Sequence, residues 1–175
     1  MKKAIIIICA IILVGFTTNV MAQATKNTAA GAKIVAPISI TETSALHFGT
    51  MAVLAGTPGT CVLSTQGVRT ATGGVNLSAQ TPAAANAAYT VGGAISTTYA
   101  ITLPSTITVS NGTPAQDMTI NALLARTASA GTDGLTGTLN GSGADSFKIG
   151  GTLNVAAAQA AAIYTGTFNV TVAYN

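Results

Sequence analysis

From Phe168 to the C-terminus apolar and polar residues alternate: Phe168, Val170, Val172 and Tyr174 point one way, Asn169, Thr171 and Ala173 the other. Side chains alternate across a strand with a period of two, so this pattern predicts a half-buried β-strand with one apolar face. Its branched and aromatic residues suit a pleated surface. A strand this regular at the chain end is expected to take an inner place in a sheet, with those four residues in the core.

The same period recurs upstream. Ile34, Ala36, Ile38 and Ile40 fall on one face of a strand beginning at Lys33, and Pro37, which lacks a backbone donor, puts that strand at an edge or bulge. In Leu46 to Val53 the apolar positions switch from even to odd across Gly49, which predicts a bend there. Thr57-Pro58-Gly59 is a turn, followed by strands over Thr60 to Thr65 and Gly67 to Thr72, a break at Gly73-Gly74, and a short strand or loop rung at Val75 to Leu77. The alanine-rich run Thr81 to Ala88 is too short to nucleate a helix well and is read as a loop or one helical turn. Strands follow at Ala88 to Val91, Thr98 to Leu103 and Thr106 to Val109, then the hairpin signal Asn111-Gly112 and a return strand Met118 to Ala122. Asn121 to Arg126 fits more than one pattern. Leu135 and Leu139 are expected to point inward from a loop, and Ser146 to Ile149 and Thr152 to Val155 read as two strands separated by Gly150-Gly151. Short strands at such spacing, broken by Gly, Pro and Asn, predict an all-β fold: a two-layer antiparallel β-sandwich.

The N-terminus has a different pattern. Met1-Lys2-Lys3, the apolar run Ala4 to Phe16 and the small-residue exit through Val20-Met21-Ala22 follow the order of a secretory signal peptide, cut after Ala22 or Ala24. The apolar run is shorter than the ~20 residues of a membrane span. The domain reading is therefore 1–22 signal peptide, 23–32 flexible leader and 33–175 a single β-sandwich domain, exported to the cell surface or beyond, with the periplasm as another destination. Removing the peptide takes Cys9 with it and leaves Cys61 alone, most simply a small buried hydrophobe, with pairing between chains as the alternative.

Charge narrows the function classes. The whole chain carries +3, but without Lys2 and Lys3 the balance is near +1: Lys26, Lys33, Arg69, Arg126 and Lys148 against Glu42, Asp117, Asp133 and Asp145. These cations are scattered along the sequence, which argues against nucleic acid and against polybasic membrane attachment. A transmembrane barrel would need longer strands and aromatic girdles, and this chain has no Trp.

Acid–base or hydrolytic catalysis needs titratable groups held together, and few are present. His47, between Leu46 and Phe48, is expected to face solvent or the sheet rim. Ser44 and Ser105 lack a nucleophile-elbow context. Asp133 and Asp145 each stand alone in a loop where Ca²⁺ would want several oxygen ligands, so both read as turn residues. Asn76, Asn111, Asn140 and Asn169 head Asn-x-Ser/Thr triplets of the kind an Asn- and Thr-rich chain contains by chance. No catalytic residue, metal ligand or cofactor site is expected.

Leu46-x-Phe48-Gly49, then Phe147 to Val155, then Tyr164-Thr165-Gly166-Thr167-Phe168 running on to Tyr174, resemble domain of unknown function 4402, a family of secreted bacterial domains. The resemblance runs from about Ala32 to the C-terminus, and the family has no assigned catalytic residues to transfer. The terminal strand is also similar to those of pilin-like subunits, including spore-coat and archaic fimbrial types. That likeness implies an immunoglobulin-like sandwich lacking one strand, its groove filled by a neighbour's N-terminal segment. Cys61 has no partner here, whereas those subunits often carry a disulfide, and the leader Gln23 to Ala32 is too polar to fill an apolar groove. Only Ile34 to Ile40 could serve, with Ile34, Ile38 and Ile40 as the assembly face.

The function expected is a non-enzymatic structural subunit or surface-coat module of a bacterial envelope or filament, with β-strand exchange as one route of assembly and other protein chains as partners. The alternative is a monomeric adhesive module binding glycan or protein, with Tyr89, Tyr99 and Tyr164 as the aromatics for ligand stacking. An exposed aromatic platform would favour the second, an open groove or missing strand the first.

Overall fold

The computed structural model describes residues 23–175; the signal-peptide reading of residues 1–22 lies outside the described residues. Gln23–Lys33 carry no regular structure and are exposed, and they belong to a unit separate from Ile34–Asn175. The strands of the second unit are β1 (Ser39–Ser44), β2 (His47–Phe48), β3 (Met51–Val53), β4 (Gly59–Leu63), β5 (Arg69–Gly73), β6 (Val75–Leu77), β7 (Ala84–Ala85), β8 (Ala87–Gly92), β9 (Thr98–Thr102), β10 (Ile107–Val109), β11 (Met118–Thr127), β12 (Thr136–Thr138), β13 (Ala144–Val155) and β14 (Thr171–Tyr174).

All pairings are antiparallel, as expected of a β-sandwich. A seven-stranded sheet runs β1-β8-β13-β11-β10, with β4 and then β5 joined to β13 beyond the reach of β8. A three-stranded sheet runs β12-β9-β14, and there are two short ladders, β2-β7 and β3-β6. The organising strand is β13. Its first half pairs with β8, its second half with β4, and β11 flanks it on the other side. Its inward residues Phe147, Ile149, Leu153 and Val155 are buried.

Two core clusters lie between the layers. One holds Phe48, Cys61, Leu63, Ile107, Ile120 and Leu153; the other holds Tyr89, Tyr99, Ile101, Leu139, Phe147 and Ile149. Leu46, Leu123 and Phe168 touch both. Tyr89 and Phe147, directly opposite in register, stack with ring centroids 5.1 Å apart.

Several expectations are corrected. The terminal strand is an edge: β14 pairs only with β9, and its ladder begins at Thr171, whereas Ile163 to Val170 run without a ladder apart from a bridge between Thr165 and Ser110. Its face is as read, with Phe168, Val170, Val172 and Tyr174 half-buried between exposed neighbours. Alternation reports which face is covered and carries no information about partners along the backbone. The first strand begins at Ser39, past Pro37, and is the edge of the large sheet. Gly150-Gly151 does not divide two strands but lies within β13, and glycine stands at 150 because a Cβ there would collide with the Leu63 carbonyl of β4. Asn121 to Arg126 lies in β11, where the register shifts around Ala122, at φ 48°. Thr81 to Ala88 contributes β7 and the start of β8 in place of a loop or one helical turn. Leu139 is buried as expected, but Leu135 is 49% exposed.

Candidate functional site: an apolar groove over the first core cluster

A groove of about 850 Å³ opens over the first core cluster, between Leu46–Val53 on one side and Gln159–Phe168 on the other. Its floor is the inward face of the large sheet: Ile107 and Val109 of β10, Met118 and Ile120 of β11, Leu153 and Val155 of β13. Residues of period two on three neighbouring strands make this surface continuous.

The walls are short of backbone partners. On one side β3 pairs only with β6 and β2 only with β7, while Thr50 between them is bonded to Pro82 and Ser78. On the other, Thr165 exchanges both backbone hydrogen bonds with Ser110 (2.9 and 3.0 Å). The flanking amides and carbonyls of Ile163, Tyr164, Gly166, Thr167 and Phe168 have no backbone partner among the described residues. Unpaired strand edges are templates for another strand.

The first wall is held by Arg69. Its guanidinium donates to the carbonyls of Phe48 (2.8 Å), Thr50 (3.0 Å) and Ser78 (2.5 Å), tying β5 to the chain on both sides of Gly49. The bend predicted at Gly49 is present at φ +78°, and a Cβ there would strike Arg69 Nη1 and the Ala84 backbone, so only glycine fits. His47, exposed as expected, accepts the Gly49 amide at Nδ1 (2.8 Å). In the sequence Arg69 is one of five scattered cations, because a guanidinium that serves three distant carbonyls leaves no local signature.

The second wall is held by Tyr164. Its hydroxyl donates to the Ala160 carbonyl (2.9 Å) and accepts from Gln159 Nε2 (2.9 Å) and Asn111 Nδ2 (3.3 Å). Gln159 also donates to the Gln116 carbonyl, and the Ala160 amide donates to Gln116 Oε1 (2.9 Å).

The assembly residues named from sequence are split. Ile38 and Ile40 pack on the second core cluster, and Ile40 lies in β1, whereas Ile34 is 96% exposed. Of the core residues, Phe168 lines the groove, while Val170, Val172 and Tyr174 continue onto the second cluster. The tyrosines considered for stacking make no exposed platform: Tyr89 and Tyr99 are buried and Tyr164 is half-buried. Burial and the nearby Glu42 raise the Tyr89 pKa; burial and the hydrogen bond to Asp145 raise that of Tyr99 further. Asp145 is a brace, accepting from Tyr99 Oη (2.9 Å), Ser129 Oγ (2.6 Å) and the Ser146 amide (2.8 Å). Asp133 accepts from Thr65 Oγ1 (2.6 Å). Cys61 is fully buried, which raises its thiol pKa against a smaller opposing effect of Arg69, and its sulfur cannot meet another chain in the folded state. No group of three His, Cys, Asp or Glu side chains suited to a metal ion occurs among the described residues.

A family model described as Domain of unknown function (DUF4402) matches residues 38–174. No curated protein and no solved structure matches the chain.

Proposed function

Because the chain belongs to the DUF4402 domain family, whose description names no activity, we propose from the groove that it is a structural subunit or coat module of a bacterial envelope or filament. The observation that carries this reading is an apolar floor between two walls with unpaired backbone. An extended chain laid there would place alternate side chains on the floor and ladder its backbone against the free edges. In this reading the protein is exported, non-enzymatic and free of cofactor, and its partners are protein chains.

The occupant we assign is the segment around Ile34 of a second copy. Ile34 is 96% and Val35 44% exposed on irregular chain ahead of β1, and neither joins a core cluster among the described residues. Donating all of Ile34 to Ile40 would take Ser39 and Ile40 of β1 from β8, and the Ala36 carbonyl is held at home by the Tyr174 hydroxyl, so the donor ends at Val35. The buried tyrosines count against the adhesive alternative in its aromatic-stacking form.

The test is the mass of the protein by light scattering across a wide concentration range, with electron microscopy of the concentrated sample. Assembly should grow with concentration and vanish in Ile34→Asp, a change that leaves an exposed position exposed. A strict monomer without filaments, or an Ile34→Asp variant that assembles like the parent, would overturn the reading. Export has its own test: the terminus of protein recovered outside the cytoplasm should be Gln23 or Thr25, and an intact Met1 would contradict it.

A further inference from the structure

A second feature lies on the outer face of the large sheet, away from the groove. Arg126 of β11 and Lys148 of β13 are direct cross-strand partners. Both project outward, because Ala125, Thr127, Phe147 and Ile149 beside them point into the core. Directly opposite residues have Cβ atoms about 5 Å apart, and like charges so placed repel.

Arg126 is paired only loosely and Lys148 not at all: among the described residues the Arg126 side chain makes no hydrogen bond, and the Lys148 side chain makes neither hydrogen bond nor ion pair. The one carboxylate near Arg126 is Asp133, whose Oδ1 lies 3.9 Å from Nη1 and already accepts the short bond from Thr65. Asp145, the other acid of this region, is taken up by Tyr99, Ser129 and the Ser146 amide. Arg69 shows the contrast, its guanidinium being engaged by three carbonyls. Arg126 and Lys148 both open onto a cleft of about 270 Å³ bordered by Thr65, Gln66, Gly131 and Ser146. The Arg126 side chain is only 32% exposed, so its charge is partly desolvated.

We infer that this cleft binds a carboxylate group of the kind a uronic acid presents. Guanidinium donors match the two carboxylate oxygens as a fork, and the ammonium of Lys148 adds a second charge-assisted bond. One anion removes the repulsion between the two cations. The cleft is smaller than the roughly 300–1,000 Å³ of drug-sized sites, so it takes one sugar-sized group. This inference is independent of strand exchange and can fail or hold without it.

The test is a titration of the purified protein with glucuronate, acetate and glucose at ionic strength matched with sodium chloride, read by calorimetry and thermal melting. Glucuronate should bind saturably and raise the midpoint as a ligand of the folded state, and glucose should not. Acetate acting like glucuronate would place all recognition in the carboxylate; glucuronate acting alone would add the ring. Arg126→Gln and Lys148→Gln should each weaken binding at least about tenfold, and Lys148→Arg should retain it. Without ligand, Lys148→Gln should melt no lower than the parent, because it removes a repulsion. Equal responses to glucuronate and glucose, no saturable response to either carboxylate, or undiminished binding in both Gln variants would overturn the inference.

Discussion

The hydroxyl of Tyr174 donates to the carbonyl of Ala36 at 2.8 Å, joining the last strand to the chain that leads into the first across a separation of 138 residues. The same oxygen accepts the amide of Ala94 (2.6 Å), so one phenol links β14, the approach to β1 and the β8–β9 connection. Both β1 and β14 are edges, of different sheets, and this contact helps hold the two layers together where no ladder does.

Tyr174→Phe keeps the ring and deletes both bonds. It should destabilise the protein by about 1–3 kcal/mol in urea denaturation, since each bond is worth roughly 1 kcal/mol net and the Ala94 amide is left without its acceptor. Hydrogen exchange should quicken in β1 and β14 while β13 stays protected. Unchanged exchange at both edges would show that the latch is incidental.

Phe168 touches both core clusters but is only half-buried. Phe168→Ala should therefore cost about 2–3 kcal/mol, below the ~3–5 kcal/mol of a fully buried phenylalanine. Asn169→Ala, on the exposed face, should stay within about 0.5 kcal/mol of the parent. Equal melting temperatures would mean that the faces are exchanged, as a one-residue slip requires.

Arg69→Ala leaves three carbonyls without their donor and should cost about 2–4 kcal/mol by the same measurement. Arg69→Lys should recover little, because a point ammonium cannot span carbonyls from two segments as a planar fork does. Full recovery with lysine would show that charge alone matters at this position. Proteolysis should become faster within Leu46 to Val53 in both variants.

The buried hydroxyls and thiol set an alkaline limit. Tyr89 and Tyr99 have folded-state pKa values raised above the ordinary 10.0, and Cys61 above 9.0, mainly by burial. A raised folded pKa means that the folded state favours the protonated form. The stability from these groups is fully present below pH ~9–10 and is lost as pH rises through the folded values. Urea midpoints should fall above about pH 9–10, with tyrosinate absorbance appearing alongside unfolding. Ellman's reagent should label Cys61 only as the protein unfolds, and fast labelling of the native state would contradict the burial.

The period of two along the chain determined that the protein is built of β-strands, and that Phe168, Val170, Val172 and Tyr174 share a face. Glycine and proline also marked a bend at Gly49 and an edge or bulge at Pro37. These are local properties: alternation reports which side of a strand is covered, and glycine and proline report which φ values and donors the backbone needs. Only the tertiary structure decided that β14 is an edge, that Gly150-Gly151 lies within one long strand beside Leu63, and that Arg69 holds a groove wall while Arg126 and Lys148 face each other. Those relations join residues tens of positions apart, and a hydrogen bond or a like-charge pair between them leaves no periodic trace in the chain. The groove is the clearest case. Its floor is legible as apolar residues on three strands, but whether a strand covers them depends on how the walls pair, which is a property of the assembled backbone.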